Sequence, residues 1–116
     1  MSKKTLGKLI RKLRKEKDLS LRKLAEMVDE VSFVNIAHIE NGRIKTSKSV
    51  LKKIAKALDY DIDELLALAD TIDDEVEDII RKIPGAIPDF LRTAKNLTSE
   101  EWQGLTEQVK NMKRKK

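Results

Sequence analysis

The sequence predicts an all-α protein, on three observations. Apolar residues recur at i, i+3, i+4 and i+7 over most of the 116 residues. No stretch sustains the apolar and polar alternation of a half-buried strand. Residues that cap helices stand just ahead of several of the apolar stripes.

Leu6, Leu9, Ile10 and Leu13 make the stripe of a first helix, with Lys8, Arg11, Lys12, Arg14 and Lys15 between them and an end expected near Lys17 and Asp18. Ser20 is placed to cap a second helix running to Val28, with Leu21, Leu24, Ala25 and Val28 inward. Ser32 caps a third, whose Ile36 and Ile39 face the core and whose Asn41-Gly42 is a stop signal. After a basic connection from Arg43 to Lys48, Ser49 is expected to start a fourth helix with Val50, Leu51, Ile54, Ala55 and Leu58 on one side. Asp61 and Glu64 have the spacing of an acidic capping box ahead of Leu65, Leu66 and Leu68, a fifth helix ending about Ala69.

Beyond Ala69 the composition changes. Residues 70 to 78 hold six acids in nine, yet Ile72, Val76, Ile79, Ile80 and Ile83 keep helical spacing, so an acidic amphipathic helix is expected. Pro84-Gly85 ends it, and Pro88 opens another helix with Phe90, Leu91, Ala94 and Leu97 as its apolar set. Thr98 and Glu101 have capping-box spacing before Trp102, Leu105, Val109 and Met112. The expected organisation is a five-helix domain over residues 1–69 and a segment of two to three helices over residues 70–116.

Composition narrows the function. There is no cysteine and His38 is the one histidine, so thiolate metal sites, disulfides and cysteine or histidine catalysis lack their parts, and neither an enzyme nor a metal or other cofactor is expected. Residues 70–78 lack the spaced ligands and central glycine of a calcium loop. The longest apolar run, Leu65 to Ala69, is far short of a membrane span, and the early lysines leave no room for a signal sequence, so a cytoplasmic protein without membrane contact is expected. The net charge of +5 divides into +10 over residues 1–58 (16 basic, 6 acidic) and −5 over residues 59–116 (9 basic, 14 acidic). On charge alone the basic half suits a polyanion such as nucleic acid, or an anionic membrane surface.

The second and third helices and their short connection have the layout of a helix-turn-helix. At residue level the chain resembles the five-helix DNA-binding domain of the phage lambda Cro and repressor type, also called the XRE family. The resemblance is carried by Leu6-Gly7-Lys8-Leu9-Ile10-Arg11-Lys12-Leu13-Arg14, Leu19-Ser20, Leu24-Ala25, Ile36, Ile39-Glu40-Asn41-Gly42-Arg43, Leu51 to Leu58, and Ile62-Asp63-Glu64-Leu65-Leu66. It implies a DNA-binding transcriptional regulator, more often a repressor, with a recognition helix at residues 32 to 41.

With Ile36 and Ile39 inward, the third helix turns Val34, Asn35, Ala37, His38 and Asn41 outward, with Phe33 at the boundary. Asn35 suits adenine N6 and N7, Val34 and Ala37 suit thymine methyls, and His38 suits guanine or a phosphate. Phe33 and Val34 serve either base contact or packing against the turn. The resemblance puts Phe33, Val34, Asn35 and His38 at base-reading positions and Ser20, Asn41, Arg43 and Lys45 at phosphate-contacting ones. Arg22 and Lys23 oppose the dipole of the second helix unless a phosphate lies nearby, so they join the phosphate set. Glu40 matches the family's acidic position that pairs with a first-helix arginine, here Arg14. Two departures stand out: Leu21 occupies a position where the family often has glutamine, and Asp29-Glu30 replaces the turn glycine, with fifteen residues from Ala25 to Glu40.

The acidic segment is expected to form a homodimer, so that two half-sites of a palindromic operator are read together. Its contact set is Ile72, Val76, Ile79, Ile80, Ile83, Phe90, Leu91, Trp102, Leu105 and Val109. The alternatives are that these helices fold back on the first five, or that they hold another protein, as in an antitoxin-like or coactivator-like module.

Overall fold

The computed structural model describes residues 3–114. Among the described residues eight helices follow one another: α1 (Lys3–Glu16), α2 (Leu21–Val28), α3 (Phe33–Glu40), α4 (Lys48–Ala57), α5 (Ile62–Leu68), α6 (Asp74–Lys82), α7 (Ala86–Thr93) and α8 (Ser99–Arg114). The described residues contain no strand, and none of their helices is long and apolar enough to cross a membrane. The protein is all-α.

Two compact units divide between Glu77 and Asp78. Composition changes earlier, after Ala69. The difference has a physical source, because three acids between Ala69 and the boundary are tied to α4: Lys48 Nζ lies 2.9 Å from both Asp74 Oδ1 and Glu77 Oε1, and Lys52 Nζ lies 2.8 Å from Asp73 Oδ1.

In the first unit every helix gives its stripe to one core: Ile10 from α1, Leu24 from α2, Ile36 from α3, Leu51 and Ile54 from α4, Leu65 and Leu66 from α5, with Leu58 just past α4. Each such side chain contributes about 1.5 to 3 kcal/mol by leaving water, which makes this shared burial the main reason that helices of 7 to 14 residues, too short to persist alone, are stable.

Helix starts follow the capping chemistry, with one change. Ser20, Ser32 and Asp61 accept from the backbone N–H of Lys23, Asn35 and Glu64. The cap of α4 is Ser47, which accepts from Val50 N–H, and not Ser49, whose hydroxyl instead donates to Glu30 at 3.0 Å. Both serines stand before the same apolar stripe, and with Ser47 as the cap Ser49 lies inside the first turn of α4.

Helix ends share one device. The residue after α1, α2, α3, α4 and α5 that turns the chain is in the left-handed region: Asp18 (φ 55°), Asp29 (φ 60°), Gly42 (φ 71°), Asp59 (φ 54°) and Asp70 (φ 56°). At four of them paired backbone bonds complete a Schellman motif, as in Leu19 N–H to Arg14 O with Asp18 N–H to Lys15 O, and Tyr60 N–H to Ala55 O with Asp59 N–H to Lys56 O. Leu19 and Tyr60, the next residues along, pack on the core. Asp29 closes α2 with a single bond to Ala25 O.

Gly7 has a different reason. A Cβ there would fall closer than 3.0 Å to the carbonyl oxygens of Ile39 and Glu40, so α1 meets the end of α3 with backbone against backbone.

The second unit is built otherwise. Thr98 N–H donates to Glu101 Oε1 (2.9 Å) and Glu101 N–H to Thr98 Oγ1 (3.1 Å), a reciprocal capping box that starts α8. Pro88 is the third residue of α7, inside the first turn, where its missing N–H removes no helical bond. Phe90 and Trp102 meet edge to face at 5.9 Å. Ala94 is the buried hydrophobic residue of this unit, and large apolar side chains remain in solvent.

Candidate nucleic-acid interface

The sequence sets α3 with Ile36, Ile39 and Glu40 buried, which leaves its other positions outward. Val34 is 47% exposed, Asn35 is exposed, and Phe33, Ala37 and His38 are half-buried. Ser32 holds the start of the helix at Asn35 N–H, and the end is fixed by Arg43 N–H donating to His38 O at 2.9 Å. That closure carries the chain straight into Asn41, Arg43 and Lys45, all exposed.

Arg14 and Glu40 form a buried two-pronged pair. Arg14 Nε donates to Glu40 Oε2 at 2.7 Å and Nη2 to Oε1 at 3.1 Å, while Nη1 donates to Leu19 O at 2.8 Å. All three nitrogens of the guanidinium are thus engaged inside the protein. The pair locks α1 to the end of α3.

Arg22 and Phe33, assigned in the sequence to phosphate and to base, meet each other. The guanidinium carbon of Arg22 lies 4.1 Å from the centroid of the Phe33 ring, a cation–π contact between the first turn of α2 and the first residue of α3. Periodicity cannot show this, because the two residues belong to different helices. Lys23 lies 3.7 Å from Glu26 on its own helix, and Leu21 packs on the core.

The helix starts divide by charge. The first turns of α1 to α4 contain no acid, and α2, α3 and α4 are capped by uncharged serines. Those of α5 to α8 all contain acids. A helix N-terminus attracts an anion through its free N–H groups and dipole, so the helix-turn-helix and α4 keep this capacity where the later helices cancel it.

The helix-turn-helix family profile matches residues 10–65, which span the observed α2, α3 and α4 with the second half of α1 and the first half of α5. A solved structure, the clp gene regulator ClgR from C. glutamicum, is 31% identical, with a TM-score of 0.52 over 58% of this chain and 85% of that one. The chain belongs to the helix-turn-helix family of lambda-repressor type. A second solved structure, the SinR protein/SinI protein complex, matches 94% of this chain and 98% of the other at 25% identity and a TM-score of 0.51. A curated relative, the competence pilus inhibition repressor of Acinetobacter baylyi, is 31% identical over 70 residues. The match spans 63% of that relative's length and 60% of this chain.

In this helix-turn-helix protein, the ten apolar residues expected to meet a partner include no buried one. Ile72, Val76, Ile79, Ile83, Phe90, Leu91 and Val109 are exposed, and Ile80, Trp102 and Leu105 are half-buried. Among the described residues no group of three or more carboxylates and histidines could hold a metal ion.

Proposed function

We propose that the protein is a cytoplasmic, sequence-specific double-stranded-DNA-binding transcriptional repressor that reads a palindromic operator as a homodimer. The observation that carries this reading is the junction of α2 and α3, where Arg22 on Phe33 brings two acid-free helix starts together beside the exposed reading face. Phosphates occupy the N-terminal turns and the basic loop, through Ser20, Lys23, Asn41, Arg43 and Lys45, and bases meet Val34, Asn35, Ala37 and His38. The described relatives and structural neighbours that are named as a repressor or as regulators support the same activity.

A fluorescence anisotropy titration at about 150 mM salt tests it, comparing selected duplexes with bulk DNA. Specific sites should bind more tightly by a factor of about 10³ or more. Equal affinity for both would leave only non-specific charge attraction.

The apolar side chains of residues 70–116 support homodimerisation, with half-sites about one helical turn, roughly 34 to 36 Å, apart. A second reading has its own support: the structural neighbour that matches 94% of the chain is a complex of two named proteins, so this segment could receive a different protein. Mass measurement of the purified chain decides between them. A dimer supports the first, and a monomer that acquires a stoichiometric partner in its source cells supports the second.

A further inference from the structure

We propose that Arg22, carried by α2, is the guanine-reading residue of the interface, and that Phe33 on α3 positions it. The inference rests on the DNA-binding function proposed above and adds to it a base contact from outside the recognition helix.

The outward side chains of α3 leave a gap in chemistry. Val34 and Ala37 offer methyl groups, Asn35 offers one donor beside one acceptor, which matches adenine, and His38 offers a single ring edge. None presents the two parallel donors that fit guanine O6 and N7, the arrangement that a guanidinium supplies. Arg22 has it, and the contact with Phe33 brings it to the first residue of α3, next to Val34 and Asn35.

Arg22 is exposed, and among the described residues no carboxylate forms a salt bridge with it, whereas its neighbour Lys23 faces Glu26. Helix stability does not account for a cation in the first turn of α2, where it opposes the dipole. The ring does account for a fixed position. An arginine that only neutralises phosphate works from a mobile tether, while one held against an aromatic face has already lost much of the rotamer freedom that a two-point base contact removes.

The test is selection of bound sites from a random duplex library by the full-length protein and by Arg22→Lys, Arg22→Ala, Phe33→Leu and His38→Ala, each first checked for an unchanged circular dichroism spectrum. The expected wild-type motif has a guanine at one position of each half-site. Arg22→Lys and Arg22→Ala should lower the preference for it by about 5- to 150-fold and leave the other positions intact. Phe33→Leu, with Arg22 still present, should lose part of the same preference, whereas loss of that preference in His38→Ala with the Arg22 variants unaffected would assign the guanine to His38 and overturn the proposal. If Arg22→Ala weakens all duplexes equally and reduces the salt slope by about one, Arg22 is a phosphate contact and the proposal fails. An unchanged motif in the Arg22 variants overturns it as well. Absence of any motif for the wild-type protein would instead remove the DNA-reading function itself, and this proposal with it.

Discussion

Arg14 and Glu40 are the buried charged residues of the core region, and their geometry separates what they do from what surface charges do. A bidentate pair with a third bond to Leu19 O engages each nitrogen of the guanidinium, so neither charge is stranded. Arg14→Met alone, or Glu40→Leu alone, leaves one uncompensated buried charge and should destabilise by about 3 to 5 kcal/mol. The double variant should cost clearly less than the sum, without full recovery, because Leu19 O loses its side-chain donor. Urea unfolding of the four proteins forms the double-mutant cycle that checks this, and additive losses would contradict it. The acid and the arginine were legible in the sequence through resemblance, but the bond to Leu19 O was not, since nothing in the spacing of residues 14 and 19 distinguishes a buried arginine from a solvated one. Arg22 and Phe33 escaped for a related reason: a contact between side chains of two helices has no periodicity.

At the level of elements, the starts of helices were easier to read than their ends. Ser20, Ser32 and Asp61 were visible because a cap is a residue type at a fixed offset from an apolar stripe, whereas Ser47 was hidden by the equally plausible Ser49 two residues on. The ends at Asp18, Asp29, Asp59 and Asp70 were less legible, because aspartate adopts a left-handed conformation only where the surrounding bonds impose it. These positions carry two costs, the conformation itself and a negative charge at the negative end of a helix. Asp59→Gly removes both, and should stabilise the protein by about 0.5 to 1 kcal/mol after allowing for the greater freedom of glycine in the unfolded chain. Asp59→Ala keeps the strained conformation and should not reproduce the gain. Thermal melts of both variants against the parent test the account.

Over the whole molecule, the division of charge between the halves is partly cancelled by contact. Lys48 and Lys52 of α4 are engaged by Asp74, Glu77 and Asp73, which leaves the basic loop and the start of α2 with more of the uncompensated positive charge than α4 has. Hydrogen bonding to Lys52 holds the Asp73 carboxyl below its ordinary value of 3.8, and Glu77 followed by Asp74 raises the Lys48 ammonium above 10.5. The signs then define a window. The carboxylate contribution is complete above pH 3.8 and disappears as pH falls through the lowered value, and the lysine contribution is complete below pH 10.5 and disappears as pH rises through the raised one. Lys52→Met should therefore lower the melting temperature at pH 7, with the difference from the parent shrinking in strong acid and in about 1 M salt. A difference that persists unchanged in acid would mean that packing of the lysine stem, and not its charge, is what matters.

Gly7 gives this arrangement its mechanical character. Because α1 rests with its backbone on the last carbonyls of α3, and Arg14 clamps the same end, the end of α3 is held in place against α1. A signal that silences the proposed repressor would then have little leverage on the reading surface itself. In the proposed homodimer, control would fall to the separation and relative angle of the two reading heads, so that a switch could be thrown far from the DNA without changing a single base contact.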